Sequence, residues 1–240
     1  MIVSFFITIY NMDMDQKLEL FQIISKLFKN HGFQLYLVGG TVRDHLLDLP
    51  LTDMDAVTDA TPNEMKEFLE GADYTFAKYG SVKYVFEGVK FDITTLREEG
   101  DYSDARHPQK VQFVKNLSSD VKRRDFTING LYLNADFEVI DLVNGKQDLI
   151  NHLLRTIGPA DQRIKEDPLR ITRAIRFAID FDLTFEESLL KAINDNMSLI
   201  DSLNPEKVKQ DMKKMKCEDK DKIMKFFNKY NFTHLLDVIK

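Results

Sequence analysis

The stretch LYLVGGTVRDHLLDLPLTDMDAVT, residues 35–58, constrains this chain of 240 residues more than any other part of it. An apolar run ends at two glycines, a short helical pattern follows, and a second apolar segment carries Asp53 and Asp55. Side chains at positions i and i+2 of a strand project from the same face. The stretch therefore predicts a strand, a tight glycine turn, a helix and a second strand that presents two carboxylates side by side.

Hydrophobic periodicity predicts an α/β region followed by a helical one. We expect strands at 34–38, 54–58, 74–79, 82–88, 90–96, 111–114 and 138–143. We expect helices at 15–30, 41–47, 61–70, 118–133, 159–165, 168–181, 186–196, 205–216 and 219–229. The fold class is therefore α+β, with a small mixed sheet and flanking helices at 14–152 and an all-helical part at 153–240.

Composition limits the classes of function. A hydrophobic content of 43% is enough to bury a core, and the net charge of −6 means that any nucleic-acid-binding surface must be local. The Lys-rich stretch 207–229 is either such a surface or a solvated helix face. A single cysteine, Cys217, excludes a disulfide framework and indicates a reducing cytoplasm.

The first sixteen residues, MIVSFFITIYNMDMDQ, leave two interpretations open. Their apolar run is shorter than the roughly 20 residues that span a bilayer, and a basic segment and a cleavage site typical of a signal peptide are both lacking. We therefore expect no membrane association. The run is either an additional strand or an upstream extension before a natural start at Met12 or Met14.

The aspartate pair predicts a metal site. Two neighbouring carboxylates repel each other unless protons or cations intervene, and Mg²⁺ prefers such oxygen ligands. Asp53 and Asp55 are the predicted metal ligands, and Asp92, on a later strand, is the third candidate catalytic carboxylate. Two metal ions held this way activate an attacking hydroxyl and stabilise a leaving phosphate. The alternative is that the pair only caps or closes a loop.

The two glycines before the helix predict a phosphate-binding turn. Gly39 and Gly40 let backbone N–H groups approach a phosphate at a helix N-terminus, and Arg43 follows one turn later, within reach of a triphosphate. The G-x-G-x-x-G spacing of dinucleotide-binding folds is absent, as is a P-loop lysine.

The combined pattern resembles a known superfamily. Gly-Gly, about a dozen residues, Asp-x-Asp and a distant strand carboxylate are arranged as in the nucleotidyltransferases that include DNA polymerase beta. LVGGTVRDHLLDLPLTDMD resembles the first motif of class II tRNA nucleotidyltransferases, the CCA-adding enzymes and bacterial poly(A) polymerases. RRDFTING (123–130) is similar to the second motif, and EDPLRITRAIRF (166–177) is similar to the nucleotide-selecting motif. The resemblance covers roughly residues 34–180.

The third motif has a physical logic of its own. Asp167, Arg170, Arg173 and Arg176 recur every third residue, which keeps neighbours together on one helix face. An acceptor beside a planar donor fork imitates a base-pairing edge, so Asp167 and Arg170 can select cytosine and adenine over uracil and guanine. In the alternative interpretation, Asp167 caps the helix and the arginines are solvated.

The resemblance implies an activity and further site residues. It implies template-independent addition of CCA to the tRNA 3′ end from CTP and ATP, with release of pyrophosphate. Arg124 is then a nucleotide-binding residue, and Asp125 and Asn129 shape the ribose side of the site. The loop at 97–109 keeps its length, which favours addition of all three nucleotides over addition of cytidines alone. The rival functions are a poly(A) polymerase that tails RNA and a nucleotide-binding homologue without turnover.

The chain also departs from the family pattern. Asp48 replaces a usual glycine, and Gly130 stands where alanine is common. Relatives continue for a long helical body and tail, so we expect a C-terminally short member. It is a minimal enzyme, a degenerate homologue, or a fragment completed by a homodimer or a second chain. The five histidines lack zinc-ligand spacing.

Overall fold

The computed structural model describes residues 12–52, 54–99, 111–232 and 235. Asp53, most of the loop at 97–109 and the apolar run at 1–11 lie outside these residues. The chain divides into two compact units. Of the described residues, the first unit contains 12–52, 54–99, 111–124 and 128–145, and the second contains 125–127, 146–232 and 235.

The strands follow the predicted order with some additions. The described strands are β1 (Leu35–Val38), β2 (Met54–Thr58), β3 (Ser81–Phe86), β4 (Val89–Thr95), β5 (Arg97–Glu99), β6 (Val111–Phe113), β7 (Leu131–Leu133), β8 (Val139–Asp141), β9 (Leu153–Leu154) and β10 (Thr184–Phe185).

The helices are likewise close to the predicted set. The described α-helices are α1 (Met14–Asn30), α2 (Gly40–Leu46), α3 (Pro62–Met65), α4 (Leu117–Asp120), α5 (Gly145–Ile150), α6 (Ala160–Glu166), α7 (Leu169–Asp180), α8 (Glu187–Asp195), α9 (Pro205–Met212) and α10 (Lys220–Tyr230).

The first unit is built on a mixed six-stranded sheet in the order β3-β4-β2-β1-β7-β8. Strands β2 and β4 are parallel, and the other neighbours are antiparallel. Successive side chains of a strand point to opposite faces of its sheet. In β4, Phe91 and Ile93 are fully buried, whereas Asp92 and Thr94, which alternate with them, are partly exposed. The sheet therefore has an apolar core face and a face that carries polar side chains.

Helix α1 contributes to the core of this unit through one apolar stripe. Leu18, Phe21, Ile24 and Phe28 recur at helical spacing and are all buried. The Asp13 side chain accepts a hydrogen bond from the Gln16 N–H at 2.9 Å, and the Gln16 side chain accepts one from the Asp13 N–H. These two reciprocal bonds form a capping box. The predicted helix at 15–30 is thus confirmed, and the capping box explains where it begins.

The second unit is mainly helical. Helix α7 is its most buried helix, with Ile171, Ala174 and Ile175 fully enclosed. Phe177 packs edge-on against Phe126, with ring centroids 5.9 Å apart. The short parallel pair of β9 and β10 also belongs to this unit and was not predicted, because two-residue strands leave no alternation to detect.

The strand predicted at 74–79 is wrong. The Asp73 carboxylate accepts from the Thr75 N–H at 2.9 Å and from its hydroxyl at 2.6 Å, which turns the chain. A 3₁₀ helix, Ala77–Tyr79, follows and ends at Gly80 with φ 83°. The aromatic residues of this segment indicated a strand, but a side-chain turn outcompetes that preference.

Three predicted helices are shorter than expected. The helix predicted at 205–216 ends at Met212. Thr61 caps α3 through a capping box with Glu64, yet the α-helix ends at Met65 rather than residue 70. The segment 118–133 is broken up, since α4 ends at Asp120, 3₁₀ turns lie at Val121–Arg123 and Thr127–Asn129, and β7 follows. Arg124 between the turns is extended, with φ −72° and ψ 159°.

None of the helices in the described part of the chain is long and apolar enough to cross a bilayer.

Candidate active site

The turn between β1 and α2 requires glycine. Gly39 has φ 66° and ψ −127°, a conformation that side-chain-bearing residues rarely adopt. Its N–H donates to the Leu131 carbonyl of β7 at 3.2 Å, so this N–H serves the sheet rather than facing a phosphate. A Cβ built on Gly39 would lie 3.8 Å from Arg124 Nη1, which places that guanidinium beside the turn.

Two of the predicted carboxylates lie side by side on the polar face of the sheet. Asp55 of β2 and Asp92 of β4 are direct partners in the parallel register, so their side chains project from the same face of neighbouring strands. The Asp55 N–H donates to Thr41 Oγ1 at 3.0 Å, which connects β2 to the start of α2. Asp53, two residues before Asp55, lies outside the described residues.

A cavity of about 140 Å³ joins the carboxylates to the glycine turn and to the second motif. Its lining residues are Val38, Gly39, Asp55, Ala56, Val57, Asp92, Thr94, Arg123 and Arg124. Acidic side chains therefore meet basic side chains across a small cleft.

Arg124 is oriented by a buried carboxylate that the sequence reasoning missed. Asp120 is fully buried and accepts from Arg124 at 2.8 Å and 3.0 Å, from Arg123 at 2.8 Å and from the Tyr132 hydroxyl at 2.9 Å. Burial by itself raises the pKa of the Asp120 carboxyl, but the charges of Arg124 and Arg123 outweigh burial and hold that pKa at about 2. Asp120 is therefore ionised at neutral pH.

Arg43 lies in a second buried network. Its Nε and Nη2 donate to Asp44 Oδ1 at 2.9 Å and 2.7 Å, and its Nη1 donates to Asn129 Oδ1 at 2.6 Å. Arg43 is 5% exposed and is not among the cavity-lining residues. These contacts hold the second motif against α2, and the predicted contact of Arg43 with a triphosphate stays a prediction. Gly40, the first residue of α2, has this guanidinium packed beside it, with Nη2 3.4 Å from a built Cβ.

In the second unit, the third motif spans the junction of α6 and α7. Asp167 Oδ1 accepts from the Leu169 N–H at 3.2 Å, so it does cap α7, as in the alternative interpretation. Arg170 is 4% exposed and its Nη1 donates to the Arg163 carbonyl at 2.5 Å and to Glu166 Oε2 at 3.3 Å. Arg170 is therefore a buried, fixed group rather than a solvated one.

The other two arginines of the motif are paired with acids as well. Arg173 forms an ion pair with Asp125, which is 5% exposed, and this charge raises the pKa of Arg173 against the effect of burial. The guanidinium of Arg176 lies 3.5 Å from Asp211 and 4.4 Å from the centroid of the Phe177 ring. The three arginines keep the predicted spacing, but each has its own acidic partner.

The residues missed by sequence reasoning share one property. They are partners of predicted residues that are shielded from solvent: Asp120, Tyr132 and Asp44 are buried, and Glu166 and Asp211 are partly buried. The pattern of four residues from Asp120 to Arg124 gives a helical ion-pair spacing that could have suggested one of them. The others come from distant parts of the chain or from neighbours that periodicity does not distinguish.

The arrangement fits a hard divalent cation. Asp55 and Asp92 supply carboxylate oxygens at one register position of adjacent strands, which is the donor chemistry that such ions prefer. Among the described residues, which exclude Asp53, no cluster of three or more histidine, cysteine, aspartate or glutamate side chains forms a metal site. The cationic side of the cleft, Arg123 and Arg124, suits a phosphate group.

Comparison with known proteins agrees with this geometry. Residues 35–155 match the family model of the Poly A polymerase head domain. The CCA-adding enzyme of Lactobacillus helveticus is 40% identical over 192 residues, which are 80% of this chain and 48% of that protein. The CCA-adding enzyme of Staphylococcus saprophyticus is 37% identical over 214 residues, 89% of this chain and 52% of that protein.

A solved structure shows the same fold. The CCA-adding enzyme of Bacillus stearothermophilus in complex with CTP superposes with a TM-score of 0.74 at 32% identity, over 81% of this chain and 47% of that chain. The predicted nucleotidyltransferase head fold is thus confirmed. The chain spans about half the length of the curated relatives it matches. The matched segment covers both the carboxylate strands and the second motif, and the chain belongs to the Poly A polymerase head domain family, within which its relatives are CCA-adding enzymes.

Proposed function

We propose that this chain provides the catalytic head and the nucleotide-selecting helices of a CCA-adding tRNA nucleotidyltransferase. The enzyme transfers CMP twice and AMP once, from CTP and ATP, to a tRNA 3′ end and releases pyrophosphate. The observation that carries the proposal is the pairing of Asp55 with Asp92 in one cleft with Gly39 and Arg124. The names of the relatives and the CTP complex of the Bacillus stearothermophilus enzyme support it.

The proposed cofactor is Mg²⁺, held by Asp55 with Asp92 and by Asp53, which is adjacent in sequence. When bound, the ion neutralises charge on the triphosphate and supports in-line attack of the RNA hydroxyl on the α-phosphate. Asp55 and Asp92 position these groups because both are fixed by the register of β2 and β4. Arg124 faces them across the cleft, where it binds the negative charge that moves to the leaving pyrophosphate.

Two further groups complete the proposed triphosphate site. The Gly39-Gly40 turn has no side chain to obstruct the approach of a phosphate. Arg43 acts indirectly in this proposal, through its hydrogen bond to Asn129 of the second motif.

Base selection is assigned to Asp167 and Arg170. Asp167 accepts from the exocyclic amine of cytosine or adenine, and Arg170 donates to the neighbouring acceptor of the ring. Uracil and guanine present the opposite order and leave polar groups unpaired, at about 1–3 kcal/mol each. The contacts of Arg170 Nη1 with the Arg163 carbonyl and Glu166 fix the orientation of this guanidinium, so that it presents one donor geometry. Arg173 and Arg176 support the helix through Asp125 and Asp211.

One assay tests the proposal. The purified chain is incubated with Mg²⁺, labelled CTP and ATP, and a tRNA that lacks its CCA end. Addition of three nucleotides by the wild type, and none by Asp55→Asn, is the expected result. A long adenylate tail would instead indicate a poly(A) polymerase, and tight nucleotide binding without incorporation would indicate a binding protein.

A further inference from the structure

Three exposed aromatic side chains lie in or against the turn that leads into β3, the edge strand of the six-stranded sheet. Phe76, Tyr79 and Phe113 have exposed fractions of 48%, 46% and 37%. Single exposed apolar residues are normal on protein surfaces, but a group of large rings at one place indicates a binding surface. We call these three residues the aromatic edge.

The rings are held in place by local structure. Gly80 has φ 83°, and a Cβ built on it would lie only 2.8 Å from Phe113 Cε1, so this ring packs directly on the glycine backbone. Arg97 donates from Nη1 to the Tyr79 carbonyl and thereby holds the turn that carries Tyr79. Ordered rings lose little freedom when a ligand stacks on them.

Two lysines accompany the rings. Lys78 Nζ lies 4.7 Å from the centroid of Tyr79, and Lys83 Nζ lies 6.0 Å from the centroid of Phe76. Both lysines are exposed. Exposed rings that alternate with cations are the chemistry by which proteins bind single-stranded nucleic acid, since bases stack on the rings and phosphates contact the cations.

The register of the sheet connects this edge to the carboxylates. Lys83 of β3 is the direct partner of Asp92 in β4, and Asp92 is the direct partner of Asp55 in β2. The three side chains therefore form a row on one face. With neighbouring strands about 4.8 Å apart, Lys83 lies roughly 10 Å from Asp55 along the row. Phe76 lies next to the outermost residue of this row, with its ring centroid 6.0 Å from Lys83 Nζ.

We propose that the aromatic edge binds the single-stranded 3′ end of the acceptor RNA, with bases stacked on its rings. This assignment rests on the proposed function, because it identifies where the strand that presents the attacking hydroxyl is held. Continuity of the row with Asp55 and the charge of the two lysines favour an RNA strand over a second copy of this chain. Two backbone hydrogen bonds between Asp73 and Lys83 hold the segment that carries Phe76 beside β3.

The test uses a fluorescein-labelled single-stranded RNA that ends in CC, measured by anisotropy at low salt without nucleotide. The double variant Phe76→Ser with Tyr79→Ser should weaken binding at least tenfold, roughly the loss of one well-stacked base. The matched control is Phe137→Ser, because Phe137 is 39% exposed and lies in the turn between β7 and β8 at the opposite edge of the sheet. The control should bind within twofold of wild type.

A second variant measures the electrostatic contribution of Lys83 to RNA binding. Lys83→Gln should lower the slope of log affinity against log salt by about 0.7, the value for one phosphate contact to a single strand. CTP binding, measured by calorimetry, should be unchanged in the double variant, which also reports that the cleft remains folded.

Unchanged RNA affinity in the double variant would overturn the proposal, and so would a loss of self-association with unchanged RNA affinity, because the edge would then be a contact between copies. The readout requires no turnover. A failure to add nucleotides, with RNA binding that still depends on Phe76 and Tyr79, therefore counts against the proposed function and not against this surface.

Discussion

Arg124 and Asp120 form a two-point contact in which Nε and Nη2 of the arginine donate to the same carboxylate oxygen, at 3.0 Å and 2.8 Å. Asp120 lies one helical turn earlier in the chain and has no exposed surface. Arg124 is therefore aimed at the cleft by a neighbour that itself lies outside the cleft lining. The stability of the fold and the geometry of the site depend on the same carboxylate.

Substitution of this carboxylate should destabilise the protein. Asp120→Asn keeps the shape but leaves Arg123 and Arg124 without their buried counter-charge. Breaking a buried pair typically costs about 3–5 kcal/mol, and the arginine side chains retain 13–16% exposure, so we expect about 3 kcal/mol. Urea unfolding followed by circular dichroism measures the change.

The matched control for this substitution is Asp195→Asn. Like Asp120, Asp195 forms an ion pair with a nearby cation, here Lys191 on the same helix. The Asp195 side chain, however, is 53% exposed. Pairs of this kind contribute less than about 1 kcal/mol. Equal losses in the two variants would contradict the assignment of Asp120 as a buried organising charge.

The same carboxylate predicts an acid-dependent stability. The pKa of Asp120 is about 2 in the folded protein and 3.8 as its ordinary value, so the unfolded chain binds the proton more readily. The stabilising contribution, about 2 kcal/mol, is fully present above pH 3.8 and is lost as the pH falls through 2. Unfolding free energies of wild type and Asp120→Asn between pH 2 and 5 should converge toward the acid end. A constant difference across that range would show that the charge of Asp120 is not responsible.

Removal of one strand carboxylate should weaken metal binding. Asp92→Asn replaces an anionic oxygen ligand at the position in register with Asp55, so we expect Mn²⁺, a spectroscopic substitute for Mg²⁺, to bind at least about tenfold more weakly. Electron paramagnetic resonance titration of free Mn²⁺ reports the affinity. Asp136→Asn, an exposed aspartate in the turn between β7 and β8, is the control and should bind Mn²⁺ like wild type.

Base selection can be separated from stability at Asp167. In Asp167→Asn the amide oxygen can still accept from the Leu169 N–H, so unfolding free energy should change by less than about 0.5 kcal/mol. The new NH₂ group opposes the amine of cytosine and accommodates uracil. The preference for CTP over UTP in single-nucleotide addition should fall by roughly tenfold or more. An unchanged preference would assign the role of Asp167 to helix capping alone.

Sequence patterns predicted those elements in which local signals agree with tertiary packing. The apolar stripe of α1 and the glycine turn at Gly39 are examples, because amphipathic spacing and an obligatory backbone conformation are visible in the residues themselves. The segment 118–133 differs, since a helix former such as Arg124 adopts an extended conformation where Asp120 and Tyr132 hold its side chain. That contact depends on a strand placed by the rest of the fold.

The same distinction separates the residues of the candidate site whose positions could be predicted from those whose positions could not. Side chains that project from strands at fixed register, such as Asp55 and Asp92, could be predicted to meet because strand geometry leaves little freedom. Arg43 and Arg170 could be selected as important, but not as buried, since spacing does not reveal which acid each one contacts. Arg43 pairs with Asp44, the next residue, and Arg170 pairs with Glu166, four residues earlier. A helical pattern in the sequence does not distinguish these two acids from ordinary surface charges.

Gly39 also makes this site unusually informative for directed evolution. At φ 66° and ψ −127°, even asparagine and aspartate are strained. A saturation library at position 39, selected for tRNA repair in cells, should therefore return only glycine codons. The turn would act as a built-in marker of selection strength, readable from sequencing counts before any variant is purified.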